Sequence, residues 1–300
     1  MTDTKTTKRA GKYEPFDWYR TPLYYDMIFD EGTQDEADFI EAAAELYCAN
    51  RRRGASALKI MEPACGSSRL VIELAKRGHT CSGFDLEPGM IEYSKKLLKK
   101  RGLKADLSVQ DMTSFKYPRT KKFDVAHCVV STFKYLIKEA DARKHLELVA
   151  ESLRPGGIYI LGLHLTPEDQ TGKLRERWTA HRGGEHVTCN IQSWPPDYRK
   201  RTEAIRSRLI VTPLKGSSPA GTCDPRWKVA ETKETKYYES SWTFRTYNLK
   251  QLKSLIRSVP AFDHLATYDF NHDITYPIEF GSQLDNVLVL QKRQPPKAES

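Results

Sequence analysis

The stretch Met61-Glu-Pro-Ala-Cys-Gly-Ser-Ser-Arg-Leu70, MEPACGSSRL, follows a short apolar run and leads into a helical pattern. A strand, a tight turn and a helix start in that order form the place where α/β proteins hold nucleotides. The turn contains one glycine, Gly66, where a dinucleotide fingerprint has three. Whether it binds a nucleotide, and which, depends on what surrounds it.

Working outward, strand and helix signals take turns: LKIME (58–62), SRLVIELAKRG (68–78), TCSGFD (80–85), PGMIEYSKKLLKKRG (88–102), ADLSVQ (105–110), FDVAHCVV (123–130), EADARKHLELVAESL (139–153) and GIYILGLHL (157–165). The helices end at Gly78, Gly102 and Pro155-Gly156-Gly157, where glycine takes the left-handed conformation that stops a helix. Repeated βα units of this length predict a doubly wound α/β fold, a parallel sheet with helices on both faces. Ligands of such sheets bind at the carboxyl ends of the strands, which singles out residues 62–68, Asp85-Leu86, Asp111-Met112, 129–135 and His164.

Composition bounds the rest. With 300 residues and 39% hydrophobic content the chain buries a large core, and no apolar run reaches the ~18 residues of a membrane span. The polar opening MTDTKTTKR is unlike a secretory signal, so a cytoplasmic protein is expected. Cys48, Cys65, Cys81, Cys128, Cys189 and Cys223 form no CxxC pair and no metal-ligand spacing, and read as reduced thiols without a metal. The formal charge of +9 permits an anionic partner, but much of it lies on solvated faces such as Lys99-Lys100-Arg101. Residues 1–12 and 294–300 read as polar tails.

Asp85 alters the weight given to the turn. It ends the next strand about twenty residues on, where a carboxylate accepts both hydroxyls of a ribose. The missing glycines then point away from a pyrophosphate, whose close approach requires them. Glu62 points the same way, since a carboxylate repels phosphate and attracts an ammonium group.

Taken as a set, these segments resemble the class I S-adenosylmethionine-dependent methyltransferases from about Tyr24 to Leu165. LKIMEPACGSSRL resembles the family's first motif, written E/DxGxGxG, with Ala64 and Ser68 in place of two glycines. FDLEPGMI resembles the second, VQDMTSF the adenine-binding segment, FDVAHCVVSTFKYL the fourth-strand motif and ESLRPGGIYIL the turn into the fifth strand.

The resemblance implies S-adenosyl-L-methionine as cofactor and a Rossmann-like seven-stranded sheet. Its cofactor-binding residues would be Glu62, Ala64, Cys65, Gly66, Arg69, Asp85, Leu86, Met90, Asp111, Met112, Cys128 and Val129. A sixth strand is expected near 263–270, a helix over 248–259 and a seventh, antiparallel strand near 286–292.

Residues 166–246 are too long for one connection, and 186–194, 201–213 and 234–247 alternate as antiparallel strands do. They predict an inserted antiparallel β lid dividing the core into 13–165, with N-terminal cap helices, and 247–293. Its arginines (Arg175, Arg177, Arg182, Arg206, Arg208, Arg245) are candidates for pairing with an anionic acceptor, and alternation puts Arg206 and Arg208 on one face. WPPD (194–197) stands in the wrong place for the Pro-Pro motif of amino-directed nucleic-acid methyltransferases and reads as a turn.

Methyl transfer from a sulfonium depends on alignment, with a base needed only for a protonated acceptor. Catalytic candidates are therefore Tyr25, Tyr135 and His164, with Ser131 nearby, while His127 reads as structural. The leading expectation is an N or O small-molecule acceptor, with neither nucleic acid nor membrane as partner. A protein or RNA methyltransferase and a non-catalytic binding module are the alternatives.

Overall fold

A computed structural model describes residues 13–49, 57–213 and 234–294. The expected polar tails, apart from Gln294, lie outside the described residues, as do Cys223 and part of the insertion. The N-terminal part supplies β1 (Glu14–Pro15), a 3-10 turn (Trp18–Arg20), α1 (Pro22–Phe29) and α2 (Thr33–Tyr47). The core follows as β2 (Lys59–Pro63), α3 (Arg69–Lys76), β3 (Thr80–Asp85), α4 (Pro88–Arg101), β4 (Asp106–Val109), β5 (Phe123–Cys128), α5 (Glu139–Ser152) and β6 (Leu153–His164). Next come β7 (Leu174–Arg182), β8 (Glu185–Ser193), β9 (Thr202–Pro213) and β10 (Lys236–Arg245), then α6 (Leu249–Arg257), β11 (Phe262–Tyr268) and β12 (Asp285–Lys292).

One sheet has the order β11-β12-β6-β5-β2-β3-β4, with β12 antiparallel to both its neighbours and the other pairs parallel. The chain runs outward from β2 through β3 to β4, then returns to β5 on the other side. The reversal therefore lies between β2 and β5, at Glu62-Pro63 and Cys128-Val129. Burial reflects this layering: β3, β5 and β6 are buried almost throughout because helices cover both faces. Glu87 caps α4 on the Gly89 N–H, Pro88 opens it, and Gly102 at φ 67° closes it. A reciprocal cap between Asn248 and Gln251 starts α6.

The second sheet, β1-β10-β9-β8-β7, is antiparallel except for the β1–β10 pair. It differs from the expected lid in two respects. A largely exposed strand over LRERWTAHR joins it, and β1 brings in the chain's N-terminal part. Trp18, Met27 and Ile28 pack with Val187, Cys189, Leu209 and Val211, which seats the lid on the cap helices. WPPD is not itself the turn expected there: it leads into one, formed by residues 198–201 and closed by hydrogen bonds between Asp197 and Thr202.

Candidate active site

After β2 the chain makes a cradle. Ala64, Gly66 and Ser68 all take positive φ, at 53°, 52° and 59°. The two non-glycine residues hold a conformation that costs ~1–2 kcal/mol per residue, so surrounding contacts must enforce it. Asp85, at the end of β3, supplies part of that constraint. Its Oδ2 accepts the Gly66 N–H at 2.8 Å and its Oδ1 the Glu87 N–H at 3.0 Å, fastening two loops to one carboxylate. Burial raises the Asp85 pKa while these backbone bonds oppose it.

Beside the cradle, Glu62 is pushed up to about 8 by burial, partly opposed by Arg69. Its Oε2 has no hydrogen-bond partner. Arg69 is committed elsewhere: it donates to Glu36 at 2.9 and 2.6 Å and to Thr33 Oγ1 at 3.0 Å. His127, fully buried in β5, lies 3.9 Å from Glu62 and is pushed down to about 3 by burial, so it is neutral and structural. A buried carboxyl group with one unpartnered oxygen is local chemistry that an ammonium group can complete.

Tyr25 of α1 roofs this turn. A Cβ placed on Gly66 would stand 3.0 Å from Tyr25 Cε1, so the ring and the glycine are in direct contact. Below it only about 30 Å³ of hollow remains between Glu62, Arg69, Cys128 and Thr132. That space is too small for a group of nucleoside size.

On the far side of Tyr25 a cavity of about 570 Å³ opens between the lid and the strand ends. Trp18, Phe29, Trp178, Trp242, Phe244 and Phe270 give it aromatic walls. His164, at the end of β6, holds Asp285 through Nδ1 at 2.9 Å, and β12 delivers that aspartate opposite it in register. A carboxylate only accepts, so Nδ1 carries a hydrogen and donates it to Asp285 Oδ1. Tyr19 donates its hydroxyl to that of Tyr135 at 2.6 Å, and burial pushes the Tyr135 phenol up to about 12. Lys134, 1% exposed, donates to Glu203 of β9 at 2.7 Å.

The sequence profile of the methyltransferase domain matches residues 60–157. That stretch of the chain is a methyltransferase domain. A dTDP-3-amino-3,6-dideoxy-alpha-D-glucopyranose N,N-dimethyltransferase of Streptomyces fradiae is 27% identical over 164 residues, 55% of this chain and 61% of that protein. The chain thus spans about three fifths of the length of the curated relatives it matches. Among solved structures, an S-adenosylmethionine-dependent methyltransferase from Clostridium acetobutylicum superimposes with TM-score 0.68 at 16% identity, covering 93% of this chain and 99% of the other. CalS10, an amino pentose methyltransferase from Micromonospora echinaspora solved with S-adenosylmethionine bound, gives 0.61 at 15% identity, covering 94% and 99%.

In this methyltransferase fold the sequence-predicted residues divide by position. Glu62, Ala64, Cys65, Arg69, Cys128 and Val129 line the small hollow, with Gly66 and Asp85 adjoining it. Leu86, 67% exposed, flanks the end of β3, whereas Met90 is fully buried within α4. Asp111 accepts the Thr113 N–H and hydroxyl at 2.6 Å each, so it caps its own turn, and Met112 packs half-buried beside it. Tyr25, Tyr135 and His164 all face the large cavity.

The lid arginines do not. Glu176, Trp178, Glu203 and Ile205 line the large cavity, which by alternation turns Arg175, Arg177, Arg206 and Arg208 to the outer face. Arg182 binds Asp26 and Asp30, and Arg245 binds Glu139. Sequence reasoning missed Asp285, Glu176 and the Lys134–Glu203 pair. Alternation from Trp178 would have placed Glu176 inward had the strand been recognised, while Asp285 is found only through its pairing with β6.

Proposed function

We propose that the chain transfers a methyl group from S-adenosylmethionine to a nitrogen or oxygen of a small molecule held under the lid of a Rossmann-like core. The observation that carries this reading is the aromatic-walled cavity lying directly across Tyr25 from the Gly66 cradle. Glu62 would hold the amino group of the cofactor, Asp85 its ribose, and Asp111-Met112 its adenine. The donor set fits, because Glu62 Oε2 lacks a partner and Gly66 leaves its face bare once Tyr25 lifts. When bound, the cofactor supplies an electrophilic methyl group on a positively charged sulfur.

The chain's own residues align the acceptor and keep water out. Tyr25 and Tyr135 wall the passage between the two spaces, and His164, oriented by Asp285, accepts the proton that a protonated acceptor must lose. A lidded cavity supports a small acceptor over protein or RNA, which need an open groove. The amino-sugar activity in the Streptomyces relative's name favours the same reading. No helix among the described residues is long and apolar enough to cross a membrane, and we place the reaction in the cytoplasm.

Incubation with S-adenosylmethionine and a panel of small amines and alcohols, read by mass spectrometry, tests this. Methylated product together with S-adenosylhomocysteine is expected. Methylation of bulk RNA or protein with none of the small molecules modified would contradict it.

A further inference from the structure

The protein carries a formal charge of +9, yet the charges lining its cavity run the other way. Glu176, Glu203 and Asp285 line it, and the sole lining cation among the described residues, Lys134, is already bonded to Glu203. Glu176 and Asp285 both stand around His164, which is half exposed to the cavity. Such an end attracts a positive group and repels phosphate.

A second, independent observation concerns the remaining wall. Thr166, 6% exposed, keeps its hydroxyl without a partner, as do Gln170 its Nε2 and Trp242 its indole N–H, and all three residues line the same cavity. Buried polar atoms left unpaired in a protein interior cost stability unless something bonds to them. A ligand bearing several hydroxyl groups does so.

We infer that the acceptor is a hydroxylated amine carrying no phosphate, its ammonium group set against Glu176, Asp285 and His164 and its hydroxyls against Thr166, Gln170 and Trp242. This rests on the small-molecule methyl-transfer reading and separates the chain from the Streptomyces relative, whose named substrate is a dTDP-sugar and carries a diphosphate. The lid arginines that would have met a diphosphate face outward or are bonded to carboxylates. At the reacting end one N–H bond of the ammonium breaks, its proton passes to His164 Nε2, and the electron pair stays on nitrogen as the nucleophilic lone pair. Glu176 is thus a specificity residue borne by the lid, and Asp285 a positioning residue that acts through His164.

Trp178 and Trp242 give the test a direct readout, because both line the cavity. Their fluorescence is titrated with glucosamine, glucose and glucosamine 6-phosphate, with and without S-adenosylhomocysteine. Glucosamine is expected to bind at least about tenfold more tightly than either analogue, a preference worth ~1.4 kcal/mol. Glu176→Gln, which keeps the shape of the side chain, removes the preference over glucose. Thr166→Val weakens glucosamine while leaving cyclohexylamine unchanged. Equal binding of glucose, tighter binding of the phosphate ester, or no saturable response to glucosamine overturns the inference. Calorimetry with S-adenosylhomocysteine is scored separately. Cofactor binding without amine preference sinks this inference alone, and amine preference without cofactor binding sinks the methyl-transfer reading alone.

Discussion

Glu62→Gln isolates the charge that the cradle withholds from solvent. The Glu62 carboxyl moves from 4.5 to about 8 on folding, chiefly through burial. An acid whose pKa is raised is protonated in the native state while the unfolded chain has already ionised. Stability is therefore complete below about pH 4.5 and is lost as pH rises toward 8. The shift of about 3.5 units at ~1.36 kcal/mol each sets a ceiling near 5 kcal/mol. Water reaching the slightly exposed carboxyl reduces this to ~2–3 kcal/mol. Glutamine is neutral throughout, so urea unfolding of both proteins from pH 5 to 8 should show the variant gaining that amount on the wild type. Other titrating groups cancel in the difference. Parallel stability profiles would refute the claim that Glu62 sits uncompensated in the ligand-free protein.

Replacing Ala64, at φ 53°, by glycine should stabilise the fold by about 0.5–1 kcal/mol in urea titrations, because relief of left-handed strain exceeds the added chain entropy. Lys134→Met should cost ~3–5 kcal/mol by stranding Glu203, and Lys134→Met with Glu203→Leu should recover most of it in the same assay. A Cβ on Gly162 would fall 2.0 Å from the Val129 carbonyl oxygen, so Gly162→Ala should lose more than about 4 kcal/mol or fail to fold, as circular dichroism melts would record.

The core was legible because its signals are local. Alternating βα patterns and the glycine at the end of α4 each name an element from a few neighbouring residues. Asp85 and the Gly66 turn were legible because the first two strands of a doubly wound sheet lie side by side, so chain separation predicts proximity. The acceptor end was legible in part, since Tyr25, Tyr135 and His164 were named and face the cavity while their partners were not. His164 meets Asp285 across 121 residues, through pairing of β6 with the last strand, and no local pattern encodes that register. The lid misled in a different way. The two faces of LRERWTAHR diverge, with Glu176 toward the cavity and Arg175 and Arg177 on the other face, so these arginines, named from the sequence as partners for an anionic acceptor, lie away from it. The glycine-poor turn carried a further lesson. Its missing glycines marked less of a change in backbone than in side chain, since Ala64 and Ser68 keep the conformation glycine would take.

Isothermal titration of S-adenosylhomocysteine into the wild-type protein and into Asp85→Ala tests the central claim most directly. Two ribose hydroxyls bonded to one carboxylate are worth ~1.5–3 kcal/mol each. The wild type should therefore bind, and the variant should bind at least about a hundredfold more weakly. Absence of binding by the wild type, or equal affinity in the two proteins, would contradict the assignment of the Gly66–Asp85 cradle as the cofactor site.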